Sequence, residues 1–323
     1  MSTFDFFLTR DNFFSNICQI VGAFVLLYLS ILLLFHLYTY LSTFIPRDLA
    51  ARYGQDSWVV ITGGSDGIGK GFSEEFARKG FNIVLIARNI QKLEKVSEEL
   101  HKINTKIQTK IISADLTEST KPGFFDNIIK QLEGLDVSIL VNNVGKMIGG
   151  LFENLSEEEI RNTLIVNTLP QVLLTHKILP QLNSRKKKSA IINVSSIMAF
   201  RPFGYFAVYS ATKAFNDYFS RGLAGEYHNI DIISLRPSFV STLMTKEKEK
   251  DSITITPNEC VQESLKKLGR MTYTTGHWKH ALFTYTRMRP MPEWVLQLRG
   301  KEIATILFSV FGMDKRLMER KTK

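Results

Sequence analysis

Between Asp11 and Arg47 the chain carries no aspartate, glutamate, lysine or arginine, and its most apolar stretch runs from about Ile17 to Leu41. At about 1.5 Å per helical residue, that stretch is long enough to cross a hydrocarbon core of roughly 30 Å. A cleaved signal peptide would need a basic start, a shorter apolar run and a small-residue cleavage site. Here the leader, residues 1–16, holds Asp5 and Asp11 beside Arg10, and the run is too long. The pattern predicts a retained transmembrane signal anchor over 17–41. Tyr28 is unusual inside a span, whereas His36, Tyr38 and Tyr40 suit its interfacial end. Arg47 and Arg52 after the span outnumber Arg10 before it, which places the large domain in the cytosol.

A linker is expected over 42–56. From Ser57 onward short β-branched runs alternate with charged, helix-like segments. The runs are Trp58–Thr62, Asn82–Ala87, Thr109–Ala114, Val137–Asn142, Ala190–Ser195 and Ile230–Leu235, and the segments include Lys70–Lys79, Gln91–Lys102 and Glu157–Leu182. Such alternation implies right-handed crossovers and a doubly wound parallel sheet with helices on both faces, a Rossmann-type α/β fold. Ligands bind such sheets at the carboxyl ends of their strands. A catalytic domain is expected over 57–275 and a C-terminal extension over 276–323. In the extension Ile303–Met313 is apolar with basic flanks, too short to span a bilayer. It reads as an interfacial helix, a lid over an apolar substrate, or an ordinary core helix.

Composition narrows the partners. The 323 residues are 44% hydrophobic and 22% charged, as in ordinary globular proteins, with a net charge of +10. That charge admits nucleic acid, an anionic membrane or a polyanionic small molecule. No zinc-finger spacing, helix-turn-helix signal or aromatic RNA-binding motif accompanies it, so neither nucleic acid nor a metal site is expected. Cys18 and Cys260 lie in unlike segments and form no disulfide framework.

The first strand runs into Thr62-Gly63-Gly64-Ser65-Asp66-Gly67-Ile68-Gly69, and a helical pattern follows. Gly63 permits a sharp turn, Gly67 lets the backbone approach a pyrophosphate, and Gly69 lets the helix pack closely on the sheet. The second strand ends on Ala87-Arg88 rather than on a carboxylate. A guanidinium there suits a 2′-phosphate and hence NADP(H); the alternative for Arg88 is a surface arginine capping the next helix. Asp66 places a negative charge near that phosphate, which Ser65 could offset with a hydroxyl donor. Asp115, after the third strand, suits the adenine amino group and also a helix cap, and the two roles are not exclusive. Asn142-Asn143-Val144-Gly145 ends the fourth strand, where amides can tie neighbouring strands together.

Tyr209 and Lys213 stand at i and i+4 on one helical face, and no other tyrosine in the chain has lysine four residues on. A nearby ammonium lowers a phenol's pKa from about 10, so that Tyr209 can act as acid or base. Ser195 and Ser196 end the fifth strand, where a hydroxyl could meet the same carbonyl oxygen; a serine-rich turn is the alternative. Asn167 is a mediocre helix former within the preceding helix. It is either a buried amide that bends the helix and holds a water, or a surface residue.

In this order the residues resemble the short-chain dehydrogenase/reductase family over roughly 57–245. The resemblance implies that Tyr209 is the proton donor and that Lys213 bonds the nicotinamide ribose and tunes the tyrosine. It further implies that Ser196 rather than Ser195 orients the carbonyl and that Asn167 holds a relay water. Pro237 to Thr242, with Val240, matches the segment that covers the nicotinamide amide, with Ser238 where the family usually has glycine. Ser65-Asp66-Gly67-Ile68-Gly69-Lys70, Val84-Leu85-Ile86-Ala87-Arg88, Tyr209-Ser210-Ala211-Thr212-Lys213-Ala214-Phe215 and Gly276-His277-Trp278-Lys279-His280-Ala281-Leu282 carry a narrower resemblance. It is to the very-long-chain 3-oxoacyl-CoA reductases of the endoplasmic reticulum, with the 17β-hydroxysteroid dehydrogenases close behind. Arg320-Lys321-Thr322-Lys323 resembles a dibasic retrieval signal for that membrane.

The expected function is therefore NADPH-dependent reduction of a long-chain 3-oxoacyl-CoA in fatty acid elongation, by a single-pass protein with its catalytic domain in the cytosol. Lys246, Lys248 and Lys250 favour a CoA head, although Glu247, Glu249 and Asp251 interleave with them. A steroid or retinoid dehydrogenase is the second expectation, and a non-catalytic NADP(H)-binding sensor or scaffold the third. A homodimer and association with other elongation enzymes are left open.

Overall fold

A computed structural model of the chain describes residues 10–246 and 249–319. The retrieval-like C-terminus, most of the leader, and Glu247 and Lys248 lie outside the described residues. The chain divides into two units at residues 46 and 47.

The first unit is one helix, α1 (Arg10–Ser42). Its 30 residues from Phe13 to Ser42 are long and apolar enough to cross a membrane, and the apolar stretch expected over 17–41 lies within them. Large side chains such as Phe24 and Leu33 are exposed on it.

The second unit opens with a helical turn, α2 (Leu49–Tyr53), inside the stretch expected as linker. Asp48 caps it by accepting from the Ala51 N–H at 3.0 Å. Arg52 and the Tyr53 hydroxyl both donate to Asp231 at 2.6–3.0 Å, which ties this turn to the start of the sixth strand. The polar residues of the segment thus serve a long-range contact.

Seven parallel strands form the sheet. They are β1 (Trp58–Thr62), β2 (Asn82–Ala87), β3 (Thr109–Ser113), β4 (Val137–Asn142), β5 (Ser189–Val194), β6 (Ile230–Leu235) and β7 (Tyr273–Thr274). Their spatial order is β3-β2-β1-β4-β5-β6-β7, so winding reverses between β1 and β4. The two-residue β7, unforeseen in the sequence, pairs with Ser234 and Leu235. The main crossover helices are α3 (Gly67–Arg78), α4 (Ile90–Ile103), α5 (Phe124–Leu132), α6 (Glu157–Ser184), α7 (Ala207–Ala224) and α8 (Pro257–Leu265).

Alternate strand residues feed two cores. Val59, Ile61, Ile83 and Leu85 pack with Phe72 and Phe76 of α3 and Val261 of α8. Val60, Val84 and Ile86 pack on the other face with Ile128 of α5 and Leu174 and Ile178 of α6. Strands buried on both faces have no polar alternation, which is why they read as continuous apolar runs. Emptying such a site, as in Phe76→Ala, costs about 3–5 kcal/mol.

A third cluster joins the C-terminal extension to the end of the sheet. The extension comprises α9 (Trp278–Phe283), continuing through a π turn at Thr284–Met288, then α10 (Glu293–Leu298) and α11 (Gly300–Phe311). Ala304, Leu307 and Phe308 of α11 pack against Ile148, Met198 and Phe206. Beyond α11, the carbonyl of Leu317 accepts from the N–H of Leu151 and from the Asn154 amide.

Candidate active site

At the winding reversal, the turn after β1 faces the end of β4. Gly63 and Gly67 both have positive φ, 66° and 54°, where a side chain would strain the backbone. Asp66 caps α3 by accepting from the Gly67 N–H at 2.6 Å, so its carboxylate is committed to the helix N-terminus. Gly69 stands where α3 comes closest to the ends of β1 and β4. A Cβ there would stand 2.2 Å from the Gly63 carbonyl oxygen and 2.5 Å from the Asn143 amide nitrogen.

Asn142, the last residue of β4, and Asn143 after it tie strands together. Asn142 donates to Asn193 of β5 at 2.8 Å, and Asn143 donates to the carbonyls of Thr62 and Gly63 at 3.1 and 3.2 Å. The Thr62 hydroxyl in turn accepts from the backbone N–H of Asn143 at 3.0 Å.

Tyr209 and Lys213 occupy the first turns of α7 and are buried, as are Ser196 and Asn167. The Lys213 ammonium lies 5.8 Å from the Tyr209 ring centre and donates to the Val194 carbonyl at 3.1 Å. Ser195 donates to the Lys213 carbonyl at 2.6 Å and so braces α7, whereas the Ser196 hydroxyl accepts from the Met198 N–H at 3.2 Å. Asn167 is the buried amide of the two alternatives. Its Oδ1 accepts from the Lys146 N–H at 2.7 Å, and its Nδ2 donates to the Lys146 carbonyl and to Thr212, both at 2.9 Å. Three residues on, Pro170 has no N–H to return to the helix.

Burial sets the titration of the pair. It pushes the Tyr209 phenol up to about 12, with a hydrogen bond to Ser196 drawing it partly back. The Lys213 ammonium is pulled down to about 8 by the same loss of water. The expectation that the lysine would lower the phenol is thereby corrected: desolvation dominates, and the phenol keeps its proton at neutral pH.

These groups line one cavity of about 970 Å³. Gly63, Ser65, Asp66, Gly67 and Ile68 form one end of it. Arg88 and Asn143 border that end, and Ser196, Tyr209 and Lys213 stand in the wall. Pro237, Val240 and Thr242 line it after β6. Gly69, Asp115 and Asn167 do not line it. Asp115 caps a short helical turn by accepting from the N–H and hydroxyl of Thr117 at 2.9 and 2.8 Å. Those bonds, together with the charge of Arg88, hold its carboxyl below the usual range. Arg88 is not the cap of α4, since the Asn89 side chain accepts from the Lys92 N–H at 2.9 Å. The basic run between β6 and α8 also stands apart. Lys250 pairs with Glu259 at 2.5 Å, and neither it nor Lys246 lines the cavity.

Sequence reasoning passed over His280. Fully buried in α9, it accepts from the Ser238 N–H through Nδ1 at 3.2 Å. Its Nε2 reaches the carbonyls of Phe239 and Ile253 at 3.2 and 3.1 Å. Its Nδ1 also lies 3.3 Å from the Thr275 carbonyl, and burial drives the ring down to about 4, so it is neutral at pH 7. Ser238 and Phe239 line the cavity, so the extension fixes the loop after β6 through this ring. A second overlooked element lies below it. Arg236 and Asp217, both buried, pair at 2.5 Å, and the guanidinium sits between the rings of Phe200 and Tyr273.

Residues 57–253 match the short chain dehydrogenase family. The chain belongs to that family. Among relatives of this short-chain dehydrogenase, 17-beta-hydroxysteroid dehydrogenase type 3 of Danio rerio is 36% identical, over 79% of this chain and 83% of that protein. Very-long-chain 3-oxoacyl-CoA reductase-B of Danio rerio is 34% identical over 85% and 90%. A human relative, 35% identical over 88% of each chain, is named inactive hydroxysteroid dehydrogenase-like protein 1. Among solved structures, a short-chain dehydrogenase from Sphingobium yanoikuyae in complex with NADPH is 29% identical, with a TM-score of 0.60 over 68% of this chain and 87% of that one.

Proposed function

We propose that the chain reduces the keto group of a long-chain 3-oxoacyl-CoA to the 3-hydroxyacyl-CoA with NADPH, as a step of fatty acid elongation at the endoplasmic reticulum membrane. The observation that carries this reading is the convergence of Tyr209, Lys213 and Ser196 with the glycine turn in one cavity.

The residues present fit a nicotinamide dinucleotide phosphate. A Cβ on Gly67 would stand 2.9 Å from the Thr242 methyl, so only glycine lets the turn come this close to the segment after β6. Ser65, Gly67 and Ile68 would hold the pyrophosphate at the N-terminus of α3. Arg88, with Lys92 beside it in the same wall and no carboxylate ending β2, would take the 2′-phosphate. When bound, the cofactor supplies the hydride that the carbonyl carbon receives.

The chain's own groups manage the oxygen. Tyr209, neutral at pH 7, donates its phenolic proton to the oxygen as negative charge develops there. Ser196 points a second hydroxyl at that oxygen and lowers the cost of the charge. Lys213, with an ammonium at neutral pH, favours the phenolate that Tyr209 becomes. Asn167 and the Lys146 backbone hold Thr212 and the first turn of α7 in place. One relative is named inactive, so the fold by itself does not decide activity, and the reading rests on these four side chains.

The far half of the cavity supports an acyl substrate. Met198, Phe239, Leu307 and Val310 make it apolar, and Arg287 and Arg299 stand among its lining residues as partners for CoA phosphates. A steroid ketone is the second reading, favoured by the comparable identity to 17-beta-hydroxysteroid dehydrogenase type 3. The candidate span supports a membrane-anchored enzyme. The test is side-by-side turnover of NADPH by the full chain with a long-chain 3-oxoacyl-CoA and with a 17-keto steroid. Turnover of the acyl substrate is expected; turnover of the steroid alone would reverse the order of the two readings.

A further inference from the structure

The C-terminal extension is turned inside out relative to a helix that faces water. In α9 and its π turn the buried stripe is His280, Thr284 and Met288, one every four residues. The outward stripe is Trp278, Leu282 and Tyr285. A water-facing helix hides its apolar side and shows its polar one; here His280 and Thr284 are hidden, their polar atoms matched by hydrogen bonds to neighbouring backbone. In α10, Trp294 and Leu298 are 61% and 77% exposed, one helical turn apart.

The charge around these side chains is net positive. Residues 278–302 hold five lysines and arginines against two glutamates. Arg287, Arg289 and Lys301 are exposed, and Arg289 stacks 5.5 Å over the Tyr285 ring. Tryptophan and tyrosine beside arginine and lysine is the composition of a segment lying in the headgroup region of a bilayer. There the rings reach the acyl boundary and the cations meet lipid phosphates. The cavity opens at such side chains too, since Leu243, Met244 and Ile306 both line it and are exposed.

We infer that α9 and α10 lie on the surface of an anionic lipid bilayer, and that the cavity is loaded from the lipid side. This rests on the reading of an apolar-chain substrate, but the surface itself is tested without substrate. Of the three tryptophans, Trp58 sits in β1 and the other two are Trp278 and Trp294. Full-length protein is reconstituted in vesicles of phosphatidylcholine and phosphatidylserine, with and without brominated acyl chains, and tryptophan emission is recorded.

Brominated lipid is expected to quench roughly half or more of the emission, and more strongly with phosphatidylserine than without. Trp278→Phe and Trp294→Phe should each remove part of the quenched fraction, whereas Trp58→Phe should remove unquenched light. Emission insensitive to brominated lipid would overturn the inference, as would quenching that both exposed-site variants leave unchanged. Shielding of these rings by a second protein molecule gives that same insensitivity. A quenched protein that turns over no substrate leaves this surface standing and fails the proposed reaction; an active protein with unquenched rings does the reverse.

Discussion

Replacing His280 with alanine removes the one side chain that joins the C-terminal extension to both Ser238 and Phe239 of the cavity wall. The Ser238 N–H then loses its partner, while the Phe239 carbonyl keeps the Ile255 N–H at 3.2 Å. An orphaned buried group costs about 1–3 kcal/mol. For a domain of this size each kcal/mol lowers Tm by roughly 2–4 °C, which predicts a fall of about 2–12 °C. His280→Asn keeps an acceptor toward Ser238 and should recover part of this. The ring also makes stability depend on pH. Its folded pKa of about 4 lies below the ordinary 6.5, so the unfolded state binds the extra proton first. The stability is fully present above pH 6.5 and declines as pH falls toward 4, by about 2 kcal/mol between pH 6.5 and 5. The assay is denaturant unfolding of the detergent-solubilised chain at both pH values, with KM for NADPH measured in parallel. The wild type should show this slope and His280→Asn should lack it, while KM for NADPH rises more than kcat falls. Equal slopes, or an alanine variant with unchanged Tm and KM, would refute the role given to this ring.

Other perturbations address the remaining parts of the site. Arg88→Ala should weaken NADPH binding by about 1.5–3 kcal/mol, roughly 10–100-fold, and leave NADH binding unchanged in a titration of each. Equal losses for both cofactors would place Arg88 away from the 2′-phosphate. Gly69→Ala drives a methyl to 2.2 Å from the Gly63 carbonyl. It should cost about 1–3 kcal/mol and abolish saturable NADPH binding, checked by fluorescence of the bound cofactor. The reduction rate should fall as pH rises through about 8, because Lys213 loses its charge there while Tyr209 keeps its proton to about 12. A rate constant flat to pH 10 would remove Lys213 from that role.

The central sheet was legible because its strands are buried on both faces and punctuated by glycine and charge. β1, β2, β4 and β6 end where their apolar runs end. The two-residue β7 has no run of its own and exists only through pairing with β6, which no local pattern reveals. Tyr209 and Lys213 were legible because a helical turn brings i and i+4 together. Their titration was not, since burial depends on what the extension packs over them. His280 is hidden for a related reason. Its partners Ser238 and Phe239 lie 42 and 41 residues away, and its helix turns aromatic residues outward, contrary to the usual amphipathic pattern. Asp115 shows what spacing alone leaves open, since the carboxylate after β3 that suits a ligand also caps its own turn.

The most direct test of the account is the rate at which full-length wild type and Tyr209→Phe oxidise NADPH with a long-chain 3-oxoacyl-CoA, alongside the NADPH affinity of each. A phenolic proton delivered to the carbonyl oxygen predicts a loss of about 10²–10⁴-fold in kcat with cofactor affinity unchanged. A phenylalanine variant that turns over at the wild-type rate would contradict it.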